Sequence, residues 1–146
     1  MLRVFRVCRS VYARLDGEGA RRVGGRWNSP GRAVVYMADS ISLAVLENLV
    51  HLNREDFPVG YVVIGALLPS HVPILSLDDL AGARETVSPQ TLGDRWLEEQ
   101  PSAVLRVPSV IVPQEFNYLL NPQHPDFAQL VVELPVPFLF DERLFR

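Results

Sequence analysis

Three side chains suited to nucleotide chemistry follow one another closely: Arg26 in Gly24-Gly25-Arg26-Trp27-Asn28, Tyr36 ten residues on, and Glu47 eleven residues beyond that. A loop arginine presents a planar fork that matches phosphate oxygens. The adjacent glycines let the backbone take positive φ and come close to a ligand. A phenol ring can stack on a planar base. A carboxylate on a helix can face a developing cation, as in glycoside cleavage. Taken together, the three suggest chemistry on a nucleotide.

Each residue also has a plainer reading. Arg26 could be a solvated turn arginine, Tyr36 and Trp27 core filler, and Glu47 one member of a polar stripe with Asn48 and His51. Glu47 is the better signal, because a carboxylate on a mostly apolar helix costs desolvation unless it has partners. Ser109 lies at a proline-broken strand in Val107-Pro108-Ser109-Val110. No Gly-x-Ser-x-Gly elbow surrounds it, which argues against a hydrolase nucleophile. His51, His71 and His124 have no metal-ligand spacing with each other or with Cys8, so no metal site is expected.

The elements that must carry these groups are legible in outline. Leu2 to Val7 alternates apolar residues with arginines and reads as a half-buried strand. Arg14 to Gly31 reads as a long, glycine-bearing loop, of the length that is commonly functional or disordered. Ala33 to Met37 is a short strand. Asp39 or Ser40 can cap a helix from Ile41 to Leu52, whose wide apolar arc predicts burial on most sides with a narrow polar window at Glu47. Tyr61 to Leu68 is a near-continuous apolar strand and Val72 to Leu77 another, followed by an irregular stretch from Asp78 to Pro89. Ser88-Pro89 opens a helix that ends near Gln100-Pro101. Ala103 to Val112 is a strand interrupted by Pro108, which implies an edge position or a break. Gln114 to Pro125 reads as a loop, Leu130 to Leu134 as a strand, and Phe138 to Phe140 as a short one. Strands and helices mix without regular βαβ alternation. The expected fold is α+β, a mixed, mostly antiparallel central sheet with flanking helices, in a single domain over 1–146.

Composition narrows the function. Apolar residues are 48% and charged residues 21%, as in an ordinary globular protein. At 146 residues the chain can bury roughly two-thirds of its unfolded surface. All 14 basic residues are arginine and the formal charge is −3, without any block of like charge. Electrostatic capture of nucleic acid needs clustered cations, so direct nucleic-acid binding is not expected. Cys8 is the single cysteine, which fits a reducing cytoplasm and allows no internal disulfide. The opening MLRVFRVCRS interrupts its apolar residues with arginines, unlike a secretory signal, and no apolar run is long enough to span a bilayer. The expectation is a cytoplasmic protein that does not bind a membrane.

In order, these residues resemble the RES domain family, named for its arginine, glutamate and serine, which here would be Arg26, Glu47 and Ser109. The resemblance includes Arg3-Val4-Phe5-Arg6-Val7, Gly-Gly-Arg-Trp-Asn and Val35-Tyr36-Met37-Ala38. It continues through Leu43-Ala44-Val45-Leu46-Glu47 and the tail from Pro108-Ser109 to Asn121-Pro122. Nearly the whole chain is covered, but 69–100 matches no recognisable motif. The resemblance implies a toxin of a bacterial toxin–antitoxin module that consumes NAD+ as substrate, with no further cofactor and no metal. It also implies a fold similar to ADP-ribosyltransferases such as diphtheria toxin. The implied partner is a helix-turn-helix (Xre-like) antitoxin that covers the active site, with Arg14, Arg21, Arg22 and Arg32 as candidate contacts for its acidic groups. A homo-oligomer is left open.

In that setting Glu47 would stabilise the ribose cation left by nicotinamide departure, and Arg26 would hold the pyrophosphate. Tyr36 would stack on or orient nicotinamide. Ser109 would hydrogen-bond the ribose or the carboxamide. Asn117 is a candidate for a polar contact at the pocket wall and Arg6 for a second phosphate contact. The acceptor stays open among water (a glycohydrolase), inorganic phosphate (a phosphorylase) and a protein side chain (an ADP-ribosyltransferase). Two competing readings are a nucleotide-binding module without turnover and an RNA-cleaving toxin.

Overall fold

The computed structural model describes residues 1–80 and 87–146. Part of the stretch read as irregular, Asp78 to Pro89, lies outside the described residues. The first strand, β1 (Leu2–Arg9), places Val4, Val7 and Cys8 inward and leaves its arginines at the surface or half-buried. It runs antiparallel along its whole length with β3 (Tyr61–Leu68), from Leu2 opposite Leu68 to Arg9 opposite Tyr61. On its other side β1 meets β2 (Val35–Ala38) in a single register pair, Phe5 with Ala38, so the two strands diverge beyond that point.

The sheet continues from β2 to β6 (Phe116–Leu120), β5 (Val104–Pro108) and the edge strand β4 (Ile74–Ser76). Among the described residues only β4 with β5 is parallel; the other pairings are antiparallel, and β7 (Val131–Val132) and β8 (Val136–Phe138) both add to β3. The mixed, mostly antiparallel α+β class expected from the sequence is therefore the observed one.

Two helices cover one face of the sheet. Helix α2 (Ile41–Leu49) is capped by Ser40, whose side chain accepts from the Leu43 amide at 3.1 Å. It packs Leu43 and Ala44 on Val7 and Ala38, with Phe140 from the C-terminal segment beside them. The Asn48 amide fixes the helix to the sheet by donating to the Val7 carbonyl at 2.9 Å. Helix α3 (Pro89–Glu99) starts at the Ser88 cap and packs Leu92, Trp96 and Leu97 over Leu105, Val107 and Leu119. The Trp96 indole finds its partner in the buried Ser102 hydroxyl, at 3.0 Å. The opposite face closes a larger core around Val4, Met37, Ile64, Leu120 and Leu130.

Several expectations change. The loop read from Arg14 to Gly31 contains a helix, α1 (Glu18–Val23), bounded by Gly17 and Gly24, both at positive φ. It buries no residue and is held by Arg21 and Arg22 on Glu18, so it carries no apolar period to reveal it. The segment read as a loop from Gln114 to Pro125 contains β6, which sits between β2 and β5. Turn residues on its flanks masked a strand whose stabilisation is long-range. Pro108 ends β5 without making it an edge strand, because β4 takes the edge.

Helix α2 is also less buried than its wheel predicts. Ile41, Leu46 and Val50, one residue past its last turn, stay exposed because the sheet covers only one side. Among the described residues no helix is long and apolar enough to cross a membrane.

Candidate active site

The Gly-Gly-Arg-Trp-Asn block forms a tight hairpin-like turn in which the Gly25 amide donates to the Asn28 carbonyl at 2.9 Å and the Asn28 amide returns to the Gly25 carbonyl at 3.4 Å. Gly24 enters at φ +75°. Gly25 is needed for contact, since a Cβ there would lie 2.8 Å from the Tyr36 hydroxyl.

That hydroxyl is the turn's anchor. It accepts from the Trp27 amide at 3.1 Å and donates to Asn28 Oδ1 at 2.6 Å. Burial, the largest influence, pushes the phenol up to about 12, against the downward pull of the Trp27 amide. Asn28 is fully buried and spends its amide on the Ala20 and Arg32 carbonyls at 2.8 and 2.9 Å. Trp27 is buried against α3. Arg26 alone of this block points out: it is exposed, and its guanidinium carbon lies 5.9 Å from the Trp27 ring centroid. Among the described residues no carboxylate lies within salt-bridge distance of it.

Tyr36 pairs with Leu119 across β2 and β6, and Ala38 pairs with Asn117. Tyr36 and Asn117 are thus diagonal neighbours on one sheet face, at the separation that long side chains bridge. Asn117 uses its amide nitrogen twice, donating to Glu47 Oε1 at 2.6 Å and to the Met37 carbonyl at 3.3 Å.

Glu47 is half-buried beneath that contact. Desolvation raises its pKa above the ordinary carboxylate value, while the Asn117 bond and the nearby His51 pull it back down. Oε2 has no protein partner among the described residues.

Ser109 follows the end of β5, two places past Val107, the cross-strand partner of Asn117. Its hydroxyl accepts from the Ile111 and Val112 amides at 3.1 Å each, and it is buried. Its acceptor capacity therefore serves the turn that closes β5. Arg6 stands where β1 and β2 diverge and donates to the Tyr36 carbonyl at 3.3 Å, replacing a ladder bond that the divergence removes.

The structure thus sets Tyr36 and Asn117 on neighbouring strands, joins Asn117 to Glu47 of α2 and Arg6 to the Tyr36 backbone by hydrogen bonds, and ties the Arg26 turn to Tyr36. It changes two anticipated contacts. The Tyr36 hydroxyl is committed to the turn, leaving only the ring for a ligand. Asn117 gives both amide hydrogens to protein, leaving only its oxygen for one. Of the arginines anticipated as partner contacts, Arg21 and Arg22 pair with Glu18 and Arg32 with Glu98, while Arg14 is exposed.

Asn28 stood in the quoted block without a role, and its burial is a tertiary fact. Gln90, Gly93 and Asp94 of α3 also meet this turn, and no local sequence signal marks them.

A family model described as "RES domain" matches residues 3–141. The chain is similar to "Toxin Res" of Pseudomonas putida, 41% identical over 93% of this chain and 96% of the relative. It is 36% identical to "Prs ADP-ribosylating toxin" of Sphingobium sp., over 90% of this chain and 87% of that one. Among solved structures, the crystal structure of the M. tuberculosis MbcT–MbcA toxin–antitoxin complex contains a chain that superposes with a TM-score of 0.68. That match covers 94% of this chain and 84% of the other at 21% identity, and shows that the two chains share a fold.

Proposed function

The chain belongs to the RES domain family of toxins and is an ADP-ribosyltransferase-like enzyme, and from that premise we propose that it cleaves the nicotinamide–ribose bond of NAD+. The observation that carries this reading is Glu47: a half-buried carboxylate with one oxygen held by Asn117 and the other open, on the sheet face that also presents the Tyr36 ring. Departure of nicotinamide leaves an oxocarbenium-like ribose, and an oriented carboxylate in a partly dry site stabilises that charge far better than water does. Arg26, fixed at its backbone and unpaired at its fork, binds the pyrophosphate bidentately. The Tyr36 ring packs on nicotinamide, and the Asn117 carbonyl oxygen is available to hydroxyl or carboxamide groups, while the buried Ser109 shapes the turn that closes β5. Each supplies orientation rather than nucleophilic attack.

Water or inorganic phosphate then takes the ribosyl group, so the protein depletes NAD+. Purified protein mixed with NAD+, with and without phosphate, releases free nicotinamide; no release under either condition refutes the reading. Transfer to a protein side chain is the second reading, supported by the Sphingobium relative, whose name states ADP-ribosylation. Radiolabel from adenylate-labelled NAD+ appearing on protein, at the expense of free ADP-ribose, decides for it.

We also propose a helix-turn-helix (Xre-like) antitoxin as partner. Its support is the toxin–antitoxin complex that contains the superposable chain, and the exposure of Ile41, Leu46 and Val50 on and just past the helix that carries Glu47. Charge on that trio, as in Leu46→Glu, abolishes co-purification with the antitoxin if the partner seats there.

A further inference from the structure

Helix α3, which begins in the segment where the sequence offered no motif, touches the arginine turn at three places on one face. Gln90, Gly93 and Asp94 stand at positions i, i+3 and i+4, one stripe of the helix. Gln90 Nε2 donates to the Asn28 carbonyl at 3.0 Å and to the Gly25 carbonyl at 3.4 Å, the two carbonyls that close the turn. Gly93 lets the helix backbone lie directly on the turn: a Cβ there would collide with the Trp27 carbonyl. Asp94 receives the Ser29 amide at 2.9 Å and the Ser29 hydroxyl at 2.6 Å, and stands 3.8 Å from Arg32 Nε.

Opposite this stripe, the Tyr36 hydroxyl grips Trp27 and Asn28. The turn is therefore fixed from both sides, while the Arg26 side chain stays exposed between the two holds. A phosphate grip gains most from such an arrangement. Ordering a loop and a long arginine on binding costs affinity, and a backbone ordered beforehand removes part of that cost.

From this geometry we infer that α3 is the mould of the phosphate grip, with Gln90 and Asp94 as positioning residues that act on substrate phosphates only through Arg26. The inference rests on the NAD+ reading above and extends it to residues that touch no substrate. It gives α3 a function besides core packing: Leu92, Trp96 and Leu97 bury one side, and the stripe at 90, 93 and 94 carries the turn.

The test is a double-mutant cycle in the full-length chain, with ADP-ribose as the calorimetric probe and nicotinamide release as the second readout. Gln90 is exposed, so Gln90→Ala leaves the fold intact, and thermal unfolding checks this. Gln90→Ala should weaken ADP-ribose binding about three- to tenfold, the range for losing one neutral hydrogen-bond anchor. KM for NAD+ should rise in step while kcat stays within about twofold, a split that a general loss of stability does not produce. In the Arg26→Ala background the same change should have no further effect, since the residue acts through the arginine.

Asp94→Ala should behave likewise in both backgrounds. Additive losses in the Arg26→Ala background overturn the inference, as does Gln90→Ala binding ADP-ribose as tightly as wild type. Wild-type protein that binds no ADP-ribose refutes the NAD+ reading itself; wild-type binding with Gln90→Ala unaffected refutes the mould alone.

Discussion

Removing one oxygen, in Tyr36→Phe, separates the two uses of this residue. Phenylalanine keeps the ring, so a tyrosine that only stacks on nicotinamide would tolerate the change. The structure puts the hydroxyl to work elsewhere, accepting from the Trp27 amide and donating to Asn28 Oδ1 at 2.6 Å. Asn28 is wholly buried and Trp27 nearly so. Deleting the hydroxyl leaves one buried acceptor and one buried donor without a partner, each at about 1–3 kcal/mol.

Allowing for water reaching one of them, the loss is about 2–4 kcal/mol of stability, or roughly 5–15 °C in Tm for a chain of this size. The turn loosens as well, so ADP-ribose binding weakens while the ring contact survives. Thermal unfolding by circular dichroism and an ADP-ribose titration read both effects. The phenol adds a pH signature. Its pKa rises from 10 to about 12 on folding, so the unfolded chain loses this proton first and stability falls between those values. Tyr36→Phe should lack that component. A variant with wild-type Tm, wild-type affinity and the same alkaline profile refutes the assignment of Tyr36 as the turn's anchor.

Three further variants test the site. Glu47→Gln should lower kcat for nicotinamide release at least about a hundredfold with NAD+ still bound, and a half-active variant would sink the proposed role. Burial raises the Glu47 pKa above 4.5 and the active form is the carboxylate, so the rate should fall as pH drops through that raised value, at a higher pH than for an exposed glutamate. The stability that protonated Glu47 contributes is complete below 4.5 and lost as pH rises through the folded value, so Glu47→Gln should match or exceed wild-type Tm at neutral pH. Asn117→Leu should reduce kcat about tenfold with less change in KM, because it frees the carboxylate from its donor; a change confined to KM would make Asn117 a substrate contact instead. Gly93→Ala drives a methyl into the Trp27 carbonyl and should cost about 1–3 kcal/mol, read by denaturant unfolding, and a neutral result would mean that α3 can lift off the turn.

Sequence alone determined what local chemistry dictates. The run Tyr61–Leu68 is a strand because continuous β-branched and apolar residues leave it no amphipathic alternative, and Gly60 and Pro69 set its ends. Ser88-Pro89 and Ser40 announced their helices because capping is a contact within one turn. Arg26, Tyr36 and Glu47 stood out because a free fork, an aromatic ring and a helix carboxylate each have a cost or a use that shows in residue type.

Tertiary structure decided what each was for. The strand Phe116–Leu120, read as loop, exists through its pairing with β2 and β5, and it brings Asn117 to Glu47 from seventy residues away. The turn around Arg26 is rigid because of Tyr36 beneath it and Gln90, Gly93 and Asp94 of α3 beside it, contacts that span eight to sixty-six positions of chain. Exposure of Ile41 and Leu46 likewise followed from how much of α2 the sheet covers, which its periodicity could not say. Residue type sets which chemistry is available. Long-range packing sets which atom of each residue is left free to perform it.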